Sequence, residues 1–133
     1  MVERYFGPEE VQKLIPRLAR IMDSLMPAYR EATEVRERLE AERQRIALAG
    51  GGTVDQAAWR ADTTRIEQLA GTVRRGIADI QALGGTPKDL GLGLVDFLHQ
   101  RDGREVNLCW KYGEDVIRYW HGTDEGYAGR KPL

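Results

Sequence analysis

The chain has 133 residues, of which 41% are hydrophobic and 31% charged, and its net charge is −1. That length suits a single domain, residues 1–133, and the composition is typical of a soluble, helix-rich protein rather than a disordered one. A net charge so close to zero argues against nucleic acid and anionic lipid as partners.

Apolar residues recur every seven positions through residues 1–49. This heptad spacing predicts a long amphipathic helix. Pro8 suits the first turn of that helix, whereas Pro16 and Pro27 predict a break or a kink near one of them. One heptad set is Val11, Leu18, Leu25, Ala32, Leu39 and Ile46, and the interleaved set is Leu14, Ile21, Ala28 and Val35.

The glycines at 50–52 predict the end of the first helix, after which Thr53 or Asp55 can cap a second helix over residues 53–83. This second segment also carries a heptad pattern, and a short connection between two such helices predicts an antiparallel hairpin. A hairpin leaves apolar surface to be covered. We therefore expect self-association, most simply as a homodimer. The second heptad set is Trp59, Ile66, Val73 and Ile80.

The period changes from seven to two after LGGTPKD at residues 83–89. Alternating segments at 94–101, 104–111 and 116–121 predict three strands, and Asp102-Gly103 is a two-residue hairpin turn. The expected fold is therefore α+β, with a helical hairpin packed on a three-stranded antiparallel meander (residues 92–121) and followed by an ordered tail (residues 122–133).

Strand pairing through these turns predicts two sheet faces, and a slip of one residue would exchange them. In the predicted register Asp96, Cys109 and Arg118 share one cross-strand row on the more polar face. The predicted core face ends in two histidines that flank Val106. The core face comprises Val95, Phe97, His99, Val106, Leu108, Trp110, Ile117, Tyr119 and His121.

Nearly the whole chain resembles a family of small bacterial proteins, domain-of-unknown-function family 2203. The resemblance rests on YF at 5–6, KD at 88–89, GLVDF at 93–97, GRxVxLCWxxGExxIxYWH at 103–121 and GYAGR at 126–130. It implies no particular activity. His99 stands where the family pattern often has proline, which weakens a role for it. The residues that fall on the pattern include Lys88, Asp89, Asp96, Cys109, Trp110, Glu114, Trp120, His121 and Arg130.

The sequence is compatible with three arrangements of reactive side chains. Cys109 is either a nucleophile whose thiolate is favoured by the neighbouring Arg118 or a small buried apolar group. A nucleophile needs a base, and the predicted register places the nearest candidate, His121, on the opposite face. His99 and His121 would bind a metal ion with a carboxylate, or else each would be a sheet-end histidine bonded to a carboxylate.

In the third arrangement Asp96 forms an ion pair with Arg118 across Cys109. Alternatively, Glu114, His121 and Arg130 line a pocket beneath the glycine-rich tail, where Arg130 grips a carboxylate or phosphate. Residues 122–129 have neither P-loop nor dinucleotide spacing, so no cofactor is indicated.

These observations lead to two functional hypotheses. The first is a homo-oligomeric binding or assembly module that recognises a small anion or a protein partner through its C-terminal half. The second is a metal-assisted enzyme that uses His121 with Glu114, Asp96 or Cys109.

The sequence also predicts the compartment. No apolar stretch approaches the roughly 18 residues of a membrane span, and MVERYFGPEE at residues 1–10 carries charges where a signal peptide has an apolar core. The single cysteine excludes an internal disulfide. We therefore expect a cytoplasmic protein without a membrane partner.

Overall fold

A computed structural model describes residues 4–50 and 55–133, which form a helical hairpin packed on one face of an antiparallel sheet. The sheet has five strands in the order β1-β2-β3-β4-β5, so the α+β prediction is confirmed with two strands more than expected. The elements are α1 (Pro8–Leu48), α2 (Gln56–Ala82), β1 (Thr86–Asp89), β2 (Leu94–Arg101), β3 (Arg104–Lys111), β4 (Tyr119–Gly122), a 3-10 helix (Tyr127–Gly129) and β5 (Lys131–Pro132).

Helix α1 continues through Pro16 and Pro27, so the chain does not break at either proline. Both prolines face solvent, where water can satisfy the carbonyl that each leaves without a helical donor. Helix α2 is capped by Asp55, whose side chain accepts a hydrogen bond from the amide of Ala58 at 3.0 Å. Thr53, the other predicted cap, lies outside the described residues.

The heptad pattern identifies the inner side of α1, although the helix buries more than the predicted sets. Ile15 and Met22 are buried beside Leu18 and Leu25, because α1 is covered both by α2 and by the sheet. A helix of 41 residues is about 60 Å long, whereas a strand of eight spans about 27 Å. The distal part of the hairpin therefore extends beyond the sheet, and Leu39 and Ile46 remain partly exposed there.

The β2–β3 register is as predicted, with Val95 opposite Trp110 and the turn at Asp102-Gly103 in the left-handed region, at φ 52° and 77°. The prediction for β4 is wrong by one residue, since Cys109 pairs with Tyr119 and Leu108 with Trp120. Tyr119 and His121 consequently lie on the outer face of the sheet, away from the helices. Trp120 takes their place on the helical side and packs against the core.

The contacts of residues 112–118 explain this slip. These residues were expected to include the start of the third strand, but they leave the sheet and bond to α1 instead. The side chain of Gln12 donates to Asp115 O at 2.7 Å and accepts from the amide of Ile117 at 2.9 Å. Backbone groups satisfied in this way have no need of a ladder partner, so β4 begins only at Tyr119.

The two additional strands lie at the edges of the sheet. Strand β1 includes Pro87, and β5 is formed by two residues of the tail, so neither carries the alternation that marks a strand in the sequence. Within residues 4–50 and 55–133, no helix combines the length and apolarity needed to cross a membrane.

Candidate metal centre

Three neighbouring strands bring an acid, a thiol and an imidazole together on the outer face of the sheet. Asp96 lies on β2 directly opposite Cys109 on β3, and His121 lies on β4 two residue pairs further along, on the same face of the sheet. Their side-chain ligand atoms all lie within 4.8 Å of one another. Each residue is at least 97% buried, since the exposed fractions are 3%, 1% and 2% respectively. Sequence reasoning placed Cys109 and His121 on opposite faces, which is wrong because of the β4 register.

The hydrogen bond of His121 fixes its tautomer. Nδ1 lies 2.8 Å from the carbonyl oxygen of Gly122. A carbonyl can only accept, so Nδ1 carries the proton, and in the neutral ring Nε2 is left with a lone pair. Nε2 itself lies 3.0 Å from Asp96 Oδ2. A backbone carbonyl that holds the far nitrogen in this way is the usual support of a metal-binding histidine.

The buried carboxylate of Asp96 also favours a bound cation. Although Oδ2 is only 3.0 Å from His121 Nε2, the contact lacks hydrogen-bond geometry, and no donor among the described residues reaches this buried oxygen. A buried acceptor without a partner is costly. Two acceptors facing each other at this distance require a proton or a metal ion close to both.

Cys109 is poorly suited to act as a nucleophile. Burial and then the Asp96 carboxylate raise the pKa of its thiol to about 12, and Arg130 opposes this shift only in part. A nucleophilic cysteine needs the opposite environment, with a lowered pKa and some exposure. A bound metal ion, in contrast, displaces the thiol proton directly. The environment therefore favours Cys109 as a ligand.

The donor set fits a mononuclear transition-metal site. Thiolate, imidazole and carboxylate are the three ligand types of zinc, and three protein ligands with a fourth open position are typical of catalytic zinc. Zinc–ligand bonds of about 2.0–2.3 Å place tetrahedral ligands roughly 3.5 Å apart. Side-chain adjustments of the order of 1 Å would therefore bring these ligand atoms to a single ion.

The three residues lie at the floor of a cleft of about 350 Å³. The cleft gives the centre an approach from solvent, which a purely structural zinc site does not need. Its polar lining includes one unpaired cation, Lys88. Around the three candidate ligands the cleft is lined by Lys88, Asp89, Leu92, Leu94, Asn107, Thr123, Glu125, Gly126 and Tyr127.

Glu114 and Arg130 form a separate, partly buried cluster behind Cys109. The Arg130 guanidinium bonds both carboxylate oxygens of Glu114, at 2.7 and 2.9 Å, and the carbonyl oxygen of Cys109 at 3.1 Å. It also stacks on Tyr119, with 4.1 Å from its central carbon to the ring centre. This pair ties the tail to the sheet. Neither member lines the cleft, so the predicted grouping with His121 is not formed.

Two further candidates lie away from the centre. Arg118 is 62% exposed and sits 3.6 Å from Asp115. The predicted pair of Arg118 with Asp96 is therefore wrong, and Asp96 faces His121 instead. His99 bonds to the carbonyl oxygen of Phe6 at 2.7 Å and lies on the helical face, so the two histidines do not converge.

Sequence reasoning named His121 with Asp96 or Cys109 as an enzymatic alternative but placed it on the opposite face of the sheet, and it did not assign Lys88, Asp89 and Asn107 to one cleft. One signal was available. The predicted register left Trp120 unexplained on a polar face. Assigning this large aromatic to the core would have shifted β4 by one residue and moved His121 beside Cys109.

Comparison with curated proteins and with solved structures gives no match. The model of one family, described as "Uncharacterized conserved protein (DUF2203)", matches residues 4–133. The resemblance noted in the sequence is thereby confirmed, and the chain belongs to the DUF2203 family.

Proposed function

We propose that this protein binds a single zinc ion through Asp96, Cys109 and His121, and that the ion serves metal-assisted catalysis on a small molecule in the cleft. The observation that carries the proposal is the buried Oδ2 of Asp96, which lies 3.0 Å from His121 Nε2 and has no hydrogen-bond partner among the described residues. A cation bonded to both atoms and to the thiolate sulfur satisfies all three at once.

The chemistry available to such a centre follows from its open position. Zinc held by three protein ligands can polarise a substrate oxygen or lower the pKa of a bound water to near neutrality. One thiolate and one carboxylate balance the charge of the ion, so the loaded centre is formally neutral. The cleft would admit the substrate to that position.

The experiment compares metal-free and loaded protein. Cobalt(II) replaces zinc as the spectroscopic probe, since a bound thiolate gives it an intense charge-transfer band. We expect one cobalt per chain with that band, which zinc then displaces. Cys109→Ser should abolish the band. His121→Gln should weaken cobalt binding by more than about 100-fold, because loss of a residue that only supports a metal ligand can already cost that much.

His99→Gln is the matched control, because it removes the other histidine of the chain and leaves the centre intact. It should bind cobalt as the wild type does. Folded protein that binds neither ion, or that shows the same melting temperature with and without zinc, would rule the proposal out.

Self-association is a second candidate property, and one observation favours it. The part of the hairpin that extends past the sheet carries several apolar side chains that are only partly buried in one copy. A second hairpin packed against them would form a four-helix layer and a homodimer. Sedimentation equilibrium tests this, and a monomer at high micromolar concentration would contradict it. The side chains concerned are Leu39, Ile46, Trp59 and Ile66.

A further inference from the structure

An irregularity in strand β1 shapes the rim of the cleft. Pro87 pairs with Val95, but the next pair joins Asp89 to Leu94, so a bulge lies at Lys88. Consecutive residues of a regular strand point to opposite faces. With the bulge, both Lys88 and Asp89 line the cleft above the candidate metal centre. Bulges are frequent beside functional sites, where they redirect a side chain in this way.

Lys88 is the one lysine or arginine of the cleft lining, and its ammonium has no partner among the described residues. The neighbouring cations already have contacts. Lys131 lies 2.6 Å from Glu125, and Arg130 is held by Glu114. Lys111 contacts the hydroxyl of Tyr127 at 3.4 Å and lies 5.3 Å from the centre of its ring. A positive charge that is left over at the mouth of a metal cleft suggests a negatively charged group on the ligand.

Asn107 adds a neutral hydrogen-bonding group at the floor. It pairs with His121 across the strands and shares a face with Cys109 two residues away, so its amide lies next to the centre. Among residues 4–50 and 55–133, no side-chain hydrogen bond engages this amide. It can therefore donate to an oxygen of whatever occupies the open coordination position.

We propose that the cleft binds a small carboxylate compound. One oxygen of the ligand bonds to the metal and to Asn107, and its negative charge is balanced by Lys88. This inference rests on the proposed zinc centre. The lining also contains Asp89 and Glu125, whose negative charges disfavour a dianion such as phosphate while tolerating a singly charged carboxylate. A cleft of about 350 Å³ is at the lower end of ligand pockets, which suits a small molecule.

The test uses the full chain loaded with cobalt(II), whose visible spectrum responds to a new ligand. Acetate, lactate and inorganic phosphate are titrated at constant ionic strength. We expect the two carboxylates to change the spectrum at lower concentration than phosphate. Lys88→Gln should weaken carboxylate binding about tenfold, as loss of one charge-assisted hydrogen bond does, and leave the affinity for cobalt unchanged.

Lys13→Gln on α1 is the matched control and should leave carboxylate binding as it is in the wild type. Asn107→Leu should also weaken it without altering cobalt affinity. If cobalt binds but phosphate is preferred, if no carboxylate changes the spectrum, or if Lys88→Gln binds carboxylates as the wild type does, this inference is overturned and the zinc centre stands. If cobalt does not bind, the zinc centre itself is refuted and the inference is overturned with it.

Discussion

His121 Nε2 and Asp96 Oδ2 lie 3.0 Å apart in a buried position on the outer face of the sheet. The other imidazole nitrogen, Nδ1, donates its hydrogen to the carbonyl oxygen of Gly122. A simple ion pair would direct a second imidazole proton at the carboxylate. Here the oxygen is without a hydrogen-bond donor among the described residues. The contact therefore calls for either a metal ion or a proton between the two side chains, and these two alternatives make opposite predictions.

Asp96→Asn is expected to stabilise the metal-free protein by about 1 kcal/mol, because the introduced amide can donate to the lone pair of His121 Nε2. The same substitution removes a metal ligand, so zinc should no longer stabilise the variant. For the wild type, an excess of zinc about 1,000 times its Kd adds roughly 4 kcal/mol. Urea unfolding with and without zinc measures both effects.

The opposite result in metal-free protein would indicate a charged pair, since removal of one partner of a buried pair costs about 3–5 kcal/mol. Asp115→Asn serves as the control. Asp115 carries its exposed carboxylate on the loop between β3 and β4, and its loss should leave both the unfolding free energy and the zinc effect unchanged within about 0.5 kcal/mol.

The β2–β3 half of the candidate site could be predicted from the sequence because its register is local. Asp102-Gly103 fixes the turn, and counting outward places Asp96 opposite Cys109. The β4 half could not be placed in the same way. Its register depends on Gln12, which lies 103 residues before Asp115 in the chain and 105 before Ile117 and bonds the backbone of both. No local pattern reveals such a contact.

The same contrast holds for the fold as a whole. The change from a period of seven to a period of two predicts the helical and sheet layers, because burial of one face acts on many residues at once. Strands β1 and β5 are too short to show a period, and they exist because neighbouring strands supply their hydrogen bonds. Edge strands of this kind are the part of a sheet that patterning describes least well.

Arg130→Gln is expected to lower the unfolding free energy by about 2–4 kcal/mol, because it leaves Glu114 charged in a partly buried site and frees the tail. The two side chains are 11% and 21% exposed. Arg118→Gln, at a position 62% exposed, is the matched control and should cost less than about 0.5 kcal/mol. Urea titration of both variants measures these losses of unfolding free energy. Equal losses for the two variants would show that the Glu114–Arg130 pair does not hold the tail.

Glu125→Gln should remove a pH-dependent contribution to stability. The ion pair with Lys131 and the amide of Gly122 lower the pKa of Glu125 below its ordinary 4.5. A carboxylate with a lowered pKa in the folded state stabilises the protein above the ordinary value, and the contribution disappears as pH falls through the lowered one. The melting temperature of the variant should therefore lie below that of the wild type at pH 7, and the gap should close in acid.

The control for that measurement is Glu37→Gln, at an exposed position on α1 with no ion pair among the described residues. Its melting temperature should follow that of the wild type across the whole range. A gap for Glu125→Gln that fails to close, or widens, as the pH is lowered until the protein unfolds would mean that the side chain acts through its shape rather than its charge.

Two glycines of α2 should respond in opposite directions to the same substitution. At Gly76 an added Cβ would lie 2.5 Å from Leu25 Cδ1 and 3.1 Å from Leu25 Cβ, and Leu25 is fully buried and cannot swing away. Gly76→Ala is therefore expected to destabilise by about 1–3 kcal/mol through overpacking, even against the gain of roughly 1 kcal/mol in helix propensity. At Gly71 the nearest contact is the mobile tip of Arg75 at 3.4 Å, so Gly71→Ala should stabilise by up to about 1 kcal/mol. Urea midpoints of the two variants check this, and a shift of the same sign in both would show that α1 and α2 are not in close contact at Gly76.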